Sequence, residues 1–341
     1  MKATTLARGA TAALALATAL GTALPAAAAD YGRHTFKVSN GAAEDHPVSA
    51  GVDAMSACMQ AGSDGKMKLR GFYNGQLGDD AEATQSVRSG SIEMVVTGAA
   101  AIGGIEPAMS AFELPFLFSS DEEVDAVMTG PYFDHVAEKM PGHGLILLSI
   151  WENGFRNTTN SKHPIEKAED FGGMNFRVMQ NPIFLDTFRR LGANPVPMAF
   201  GEVFTALETG AVDGQENPLP LIQASRFYEV QSYLTLTRHA YSPTPVLISK
   251  QVWDGLNADE QALTRNCAAE GRTAQIARSR AAVDEALATL KEEGMEVNDL
   301  TPEAMDHLRE LVVPAYDAAI PTIGQENYDL LMAELKKLRG N

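Results

Sequence analysis

Residues 174–182 read MNFRVMQNP, a strand-like apolar run that carries one arginine, Arg177, between Phe176 and Val178. Side chains alternate along a strand, so Met174, Phe176 and Val178 share one face while Asn175, Arg177 and Met179 share the other. With Phe176 and Val178 toward the core, Arg177 faces away from it. Asn181 and Pro182 suit the cap and first position of a helix, which places Arg177 at the carboxyl end of a strand just before a helix begins. Ligands of open α/β sheets bind outside such strand ends. A guanidinium there offers a planar, permanently charged fork of donors that fits a carboxylate with two parallel hydrogen bonds. The plainer alternative is a solvated or salt-bridged arginine.

A second phrase, NPVPMAFGEVFTALETGAVDGQENP, follows at residues 194–218. Pro195 and Pro197 remove ladder donors and mark an edge strand. Glu202 falls in the first turn of a helix running to Thr209, where a carboxylate complements the helix dipole. Asp213-Gly214 signals a turn, and Asn217-Pro218 repeats the Asn-Pro helix start, so spacing alone makes Asn217 a helix cap.

These phrases need elements to hold them. Ahead of them come a strand at HTFKVSN, a helix from Pro47 to Ala61, a strand at KMKLRGFY, the Gly-rich turn NGQLGDD, a helix from about Ala81 to Ser89 and a strand at SIEMVV. The Gly98–Gly104 stretch reads as a small-residue turn at that strand's end. Strand and helix in alternation predict a mostly parallel α/β sheet. A second unit of the same type begins near Trp151 and includes the FRVM strand, a helix from Pro182 to Leu191 and the NPVPM strand. No Pro/Ser-rich linker separates the units, so their connection is expected to act as a hinge. From Asn257 to Gly294 the chain runs without proline, capped by Asn257 with Glu260 three residues on. Such a helix reaches roughly 50 Å and can cross both units. Gly271 is its weak point, costing about 1 kcal/mol against alanine.

Composition narrows the function. The 341 residues carry 27 Lys+Arg against 44 Asp+Glu, a net charge of −17, which leaves no general basic surface for nucleic acid. Lys2 and Arg8 precede an apolar stretch from Thr11 to Leu24, then Pro25 and an alanine run, the pattern of a signal peptide over residues 1–29 with cleavage before Asp30. Loss of Lys2 and Arg8 takes the charge from −17 to −19. No cysteine follows the cut to take a lipid anchor, and no later segment is apolar enough to span a bilayer. The mature protein is expected to be soluble outside the cytoplasm. Cys58 and Cys267 can form one disulfide there or stay as two buried thiols. No G-x-S-x-G, Walker loop, G-x-G-x-x-G, C-x-x-C or H-E-x-x-H is present, so neither catalysis, nor a cofactor, nor a metal is expected.

The run FRVMQNP, the phrase LGANPVPMAFGEVFTALETGAVDGQENP, and QLGDD, FELPF and FRNTTNS together resemble the solute-binding proteins of tripartite ATP-independent periplasmic (TRAP) transporters, of the dicarboxylate-binding type. The likeness covers essentially the whole mature chain. It implies the α/β periplasmic binding protein fold with two domains, a hinge and a long helix spanning both. The domains would be residues 30–153 plus 243–282 and 154–242 plus 283–341, closing on a ligand in the cleft between them. It also implies a monomer that captures a small mono- or dicarboxylate or a sugar acid and passes it to membrane permease subunits. By resemblance Arg177 grips the ligand carboxylate, Arg156 adds a second charged contact, Asn217 bonds the ligand edge and Phe200 forms an aromatic wall. Gln180 and Asp80 match positions that touch ligand in some members. Ectoine-binding members have tryptophan where Phe200 stands and lack the arginine matched by Arg156, and sialic-acid-binding members carry an acid near Gly98, so both ligands are disfavoured. Other readings are a secreted enzyme on the same scaffold, or a ligand-loaded sensor for a signalling receptor.

Overall fold

Apolar runs bounded by turn residues resolve, among the described residues, into nine strands: β1 (His34–Ser39), β2 (Met67–Phe72), β3 (Met94–Val96), β4 (Leu145–Asn160), β5 (Asn175–Val178), β6 (Asn194–Pro197), β7 (Gly214–Pro218), β8 (Tyr233–Ser249) and β9 (Glu296–Asp299). The computed structural model describes Met1 and residues 30–340, so the expected signal peptide, Met1 apart, lies outside the described residues. The strands form one sheet in the order β2-β1-β3-β8-β4-β7-β5-β6, with β9 paired to β8. Pro195 and Pro197 sit on β6, an outer strand where missing ladder donors cost least.

The sheet is mixed, which corrects the mostly parallel expectation. β1 pairs in parallel with β2 and β3, and β5 with β6 and β7. Between these groups run two long strands, β4 of 16 residues and β8 of 17, antiparallel to each other and to β7 and β3, while β9 pairs with β8 in parallel. Trp151, expected to open the second unit, lies inside β4. The β4/β8 ladder carries register shifts at Leu147/Ser149, Glu152/Gly154 and Arg156/Thr158. Such irregularities bend and twist a ladder locally.

Four apolar clusters fill the two halves. One gathers Phe36, Val52, Met55, Met59 and Trp151; a second gathers Phe112, Val124, Tyr132 and Leu147. On the other side Phe171, Phe176, Phe184 and Phe188 form a third, and Val203, Leu207 and Ile222 a fourth. The long helix, Ala258–Glu292, is capped by Asn257 and Glu260 as its sequence predicts. Its Cys267 and Ala268 join the first cluster and its Ala286 and Leu290 the fourth, so it packs on both halves. Cys267 is disulfide-bonded to Cys58 on the helix Val48–Gly62, with the Cα atoms 5.4 Å apart. Gly271 is a contact, not a defect: a Cβ there would meet Trp151 Cζ2 at 2.8 Å and the Gly51 carbonyl at 2.9 Å. The last helices, Pro314–Ile323 and Gln325–Leu338, bring Ala319, Ile323, Leu331 and Leu335 to the cluster of Phe112 and Val124. Gln325–Leu338 thus packs against the first half, while Pro314–Ile323 also lies against the helix Pro182–Arg190 of the second.

Candidate functional site

In β5, Phe176 and Val178 are fully buried in the phenylalanine cluster and Arg177 leaves by the opposite face, as alternation requires. That face does not meet solvent. Arg177 is 2% exposed and borders a cavity of about 240 Å³. The strand ends at Val178, and Asn181 caps the next helix, Pro182–Arg190: its Oδ1 accepts from Ile183 N at 2.8 Å. The chain therefore turns sharply after β5, carrying the exposed Gln180 to the cavity edge.

Arg177 is poorly compensated. Its Nε and Nη2 both donate to one backbone oxygen, that of Met198, at 3.1 and 2.8 Å. Its Nη1 is buried with no hydrogen-bond partner among the described residues, and no described carboxylate lies within ion-pair distance. The Phe200 ring centre stands 6.0 Å from the guanidinium carbon. Burial pulls the Arg177 pKa down to about 10, against the attraction of the Glu216 charge, so the group stays cationic at neutral pH. A buried charge without a partner is costly, and such a site is tuned to receive an opposite charge.

Arg156, on β4, is arranged differently. Its Nε donates to Glu216 Oε2 at 2.5 Å, and its Nη2 to Glu216 Oε1 at 2.8 Å and to Asn217 Oδ1 at 2.9 Å. Its Nη1 donates to Ser242 Oγ at 3.1 Å. The β4/β7 register, Thr158 opposite Glu216 and Asn157 opposite Asn217, sets up this meeting. Burial pushes the Glu216 pKa up, but Arg156 and the His239 ring, 3.1 Å away, hold it down at about 2. Arg156 thus arrives already neutralised by an ionised glutamate. Asn217 belongs to β7 and caps nothing; the next helix, Leu219–Ala224, starts after Pro218 without a side-chain cap. The Asn217 side chain instead joins Arg156 to Gln215 Oε1, to which its Nδ2 donates at 2.5 Å.

All six residues singled out in the sequence, Arg177, Arg156, Asn217, Phe200, Gln180 and Asp80, border this one cavity. Asp80 opens the helix Asp80–Arg88 on the first half of the sheet; burial raises its pKa, with the Gly98 backbone N–H opposing. Glu216 was missed, although a glutamate inside the apolar-flanked strand GQENP, between Gln215 and Asn217, is a signal of a buried polar network. His46, Asn153 and Thr244 also border the cavity and were missed, because nothing local in the chain marks them. His46 is 3% exposed; burial lowers its pKa to about 4, against a hydrogen bond with the Asn153 side chain, so the ring is neutral. Behind the Arg156–Glu216 pair, Glu113 accepts from Asn181 Nδ2 at 2.5 Å, and burial pushes its pKa up to about 8. No cluster of three or more metal-ligating side chains, and no helix long and apolar enough to cross a membrane, occurs among the described residues.

A two-sided cavity under a mixed α/β sheet, with a buried guanidinium on its wall, defines a receptor for a small anionic solute. Residues 38–322 match the bacterial extracellular solute-binding proteins of family 7, and the chain belongs to that family. It is similar to the sugar acid binding protein of Advenella mimigardefordensis, whose crystal structure holds galactonate: identity is 42%, the TM-score 0.88, and the match covers 90% of this chain and 99% of that one. A TRAP periplasmic solute-binding protein from Ochrobactrum anthropi, with its C-terminus bound in the ligand pocket, matches at 43% identity and TM-score 0.82 over 91% of this chain and 97% of the other. A solute-binding protein of Verminephrobacter eiseniae is 34% identical over 267 residues, 78% of this chain and 79% of that protein. The resemblance to TRAP solute-binding proteins and the α/β binding-protein fold are thereby borne out.

Proposed function

We propose that the protein is a periplasmic receptor that captures an organic acid, a small carboxylate or a sugar acid, and delivers it to a TRAP membrane permease. The observation that carries this reading is the buried Arg177, cationic, bordering the cavity, and without a carboxylate of its own among the described residues. Arg177 Nη1 clamps the ligand carboxylate in a water-poor site, where such a bond counts for more than at a surface. Arg156, held by Glu216, adds donors and fixes Asn217 at the ligand edge; Phe200 covers apolar carbon, and Gln180 and Asp80 close the rim.

The cavity is bordered by both halves of the sheet, so closure about the β4/β8 ladder traps the ligand. The packing of residues 325–338 on the helices Asp121–Val127 and Pro131–Lys139 favours placing that last helix with 30–153 and 243–282. Binding without catalysis is supported by the family to which the chain belongs, one of solute-binding proteins. The protein is exported by its signal peptide and works as a monomer.

A thermal-shift screen of the purified protein against mono-, di- and sugar acids tests the reading. An acid at 100 times its dissociation constant adds about 2.7 kcal/mol of stability. A screen in which no acid raises the melting temperature, while a neutral sugar or an amine does, contradicts it.

A further inference from the structure

Glu113 is a buried carboxyl that reaches from one half of the molecule to the other. It ends the short 3-10 turn Ala111–Glu113, whose Ala111 and Phe112 belong to an apolar cluster of the first half, and it is 1% exposed. Its Oε2 accepts from Asn181 Nδ2 at 2.5 Å. Asn181 lies in the second half, between β5 and the helix Pro182–Arg190. The surroundings are built for this close approach. Ile183 of that helix joins the cluster of Phe112, and Gly103 leaves room beside the carboxamide: a Cβ there would lie 3.7 Å from Asn181 Nδ2 and collide with Ser110 Oγ. Three residues after Glu113, Phe116 has a φ of +53°, donates its N–H to the His239 carbonyl at 2.8 Å and packs its ring on the phenylalanine cluster of the second half. A left-handed conformation is rare for so large a side chain and marks a segment held from both sides.

Neither Glu113 nor Asn181 borders the cavity, yet Asn181 closes the turn that does. Its N–H donates to the Met179 carbonyl at 2.7 Å and its Oδ1 accepts from Ile183 N at 2.8 Å. The carboxamide therefore has one orientation, and the turn carrying Met179 and Gln180, just after Arg177, is set with it. Glu113 receives the Nδ2 of that carboxamide from the opposite half.

Little in the surroundings keeps the Glu113 carboxyl ionised. Arg156 on β4 is already bound twice by Glu216 on β7, which the His239 ring on β8 also meets at 3.1 Å. Acids of the two helices packed on the same turn bond elsewhere: Glu106, before Pro107–Ser110, meets His143, and Glu334, on Gln325–Leu338, accepts from the Tyr132 N–H. Burial lifts the Glu113 pKa to about 8, against the Arg156 charge and the Ala100 backbone N–H. Parting of the halves returns the group to water, where a carboxyl ionises in its ordinary range.

We propose that Glu113 is a positioning residue for the ligand site: closure docks its protonated carboxyl on Asn181, so that capture of an acid anion takes up one proton from solvent. The inference rests on the carboxylate receptor and the closure proposed above and couples a proton to them. The closed form binds a proton that the open form has released, so rising pH weakens capture, by up to about tenfold per unit between the ordinary and the buried range of the carboxyl. Above the buried range the full penalty is present and the dependence ends.

The test is isothermal titration calorimetry of the purified protein with whichever of succinate, pyruvate, D-gluconate, D-galactonate and D-glucuronate binds most tightly at pH 6. These acids stay ionised from pH 6 to 8, so the ligand adds no titration of its own. Its dissociation constant should rise about 10-fold or more over that range, and comparison of MOPS with imidazole buffer at pH 7 should show uptake of roughly 0.5–1 proton per ligand bound. Glu113→Gln keeps an acceptor for Asn181 and carries no charge. Its affinity should be flat with pH, about fivefold or more tighter than that of the unmodified protein at pH 8, and its binding should take up no proton. Glu113→Ala should weaken the acid about 10-fold at pH 6 although the side chain touches no ligand. An unmodified protein whose affinity does not change with pH overturns the inference, as does a Glu113→Gln variant with the same pH slope, which would give the proton to another group such as His239. Both results leave the carboxylate reading standing, whereas binding of none of these acids removes both.

Discussion

Glu216 holds the Arg156 guanidinium with two side-by-side hydrogen bonds, Nε to Oε2 at 2.5 Å and Nη2 to Oε1 at 2.8 Å, and neither side chain is more than 1% exposed. Arg177, on the same cavity wall and as deeply buried, has only the Met198 carbonyl. The same residue type therefore serves two ends: one arginine completes a structural network, and the other keeps its charge for a ligand.

Breaking the first pair should be expensive. Glu216→Gln leaves the Arg156 charge buried without its counter-ion and should lower stability by about 3–5 kcal/mol. The urea midpoint, at unchanged slope, reads this directly; a shift below about 1 kcal/mol would mean that solvent reaches Arg156.

Arg177→Met should act in the opposite sense on the ligand-free protein. It removes a buried cation whose Nη1 has no partner among the described residues and supplies apolar volume instead, so a gain of about 1–3 kcal/mol in urea unfolding is expected. A large loss would show that the Met198 contact is structural.

Glu113 gives stability a pH dependence. Its folded pKa of about 8 lies above its ordinary 4.5, chiefly through burial. Between these values the folded state keeps a proton that the unfolded state has released, so stability falls as pH rises, by up to about 1.4 kcal/mol per unit from this one group. Below pH 4.5 the effect vanishes, and above 8 the full cost is present. Glu113→Gln removes it: between pH 6 and 8 the variant should gain roughly 2–3 kcal/mol relative to the unmodified protein. Parallel pH profiles for the two would contradict this.

Cys58 and Cys267 lie 209 positions apart, so their bond closes most of the chain into one loop. The paired substitution of both by alanine should cost about 2–5 kcal/mol. Melting of the oxidised protein with and without reductant, set beside the double variant, checks the value.

Local signals in the chain were legible because their physics is local. The Asn181-Pro182 start gave a helix at Pro182–Arg190, and the Asn257–Glu260 capping box opened the helix Ala258–Glu292. Prolines placed β6 at an edge, and alternation put Arg177 opposite Phe176. What depends on distant partners was not legible. The antiparallel β4/β8 pair joins residues 73 to 104 positions apart, and without it two parallel units are the simpler inference. Asn217 follows the local rule for a cap, yet β4 recruits its strand and Arg156 takes its side chain. The packing of the last helix, Gln325–Leu338, on the first half likewise rests on contacts that no window of sequence displays. Gly271 looked like a weakness because propensity is local, whereas the Trp151 ring that needs its space comes from β4.

The central claim is that Arg177 holds the ligand carboxylate, and calorimetric titration of one bound organic acid into the unmodified protein and into Arg177→Met tests it most directly. With the variant folded and at least as stable, the account predicts affinity weaker by about 100-fold or more, in line with the 2–5 kcal/mol lost when one partner of a buried charge pair is removed. An Arg177→Met protein that binds the same acid with unchanged affinity would contradict it.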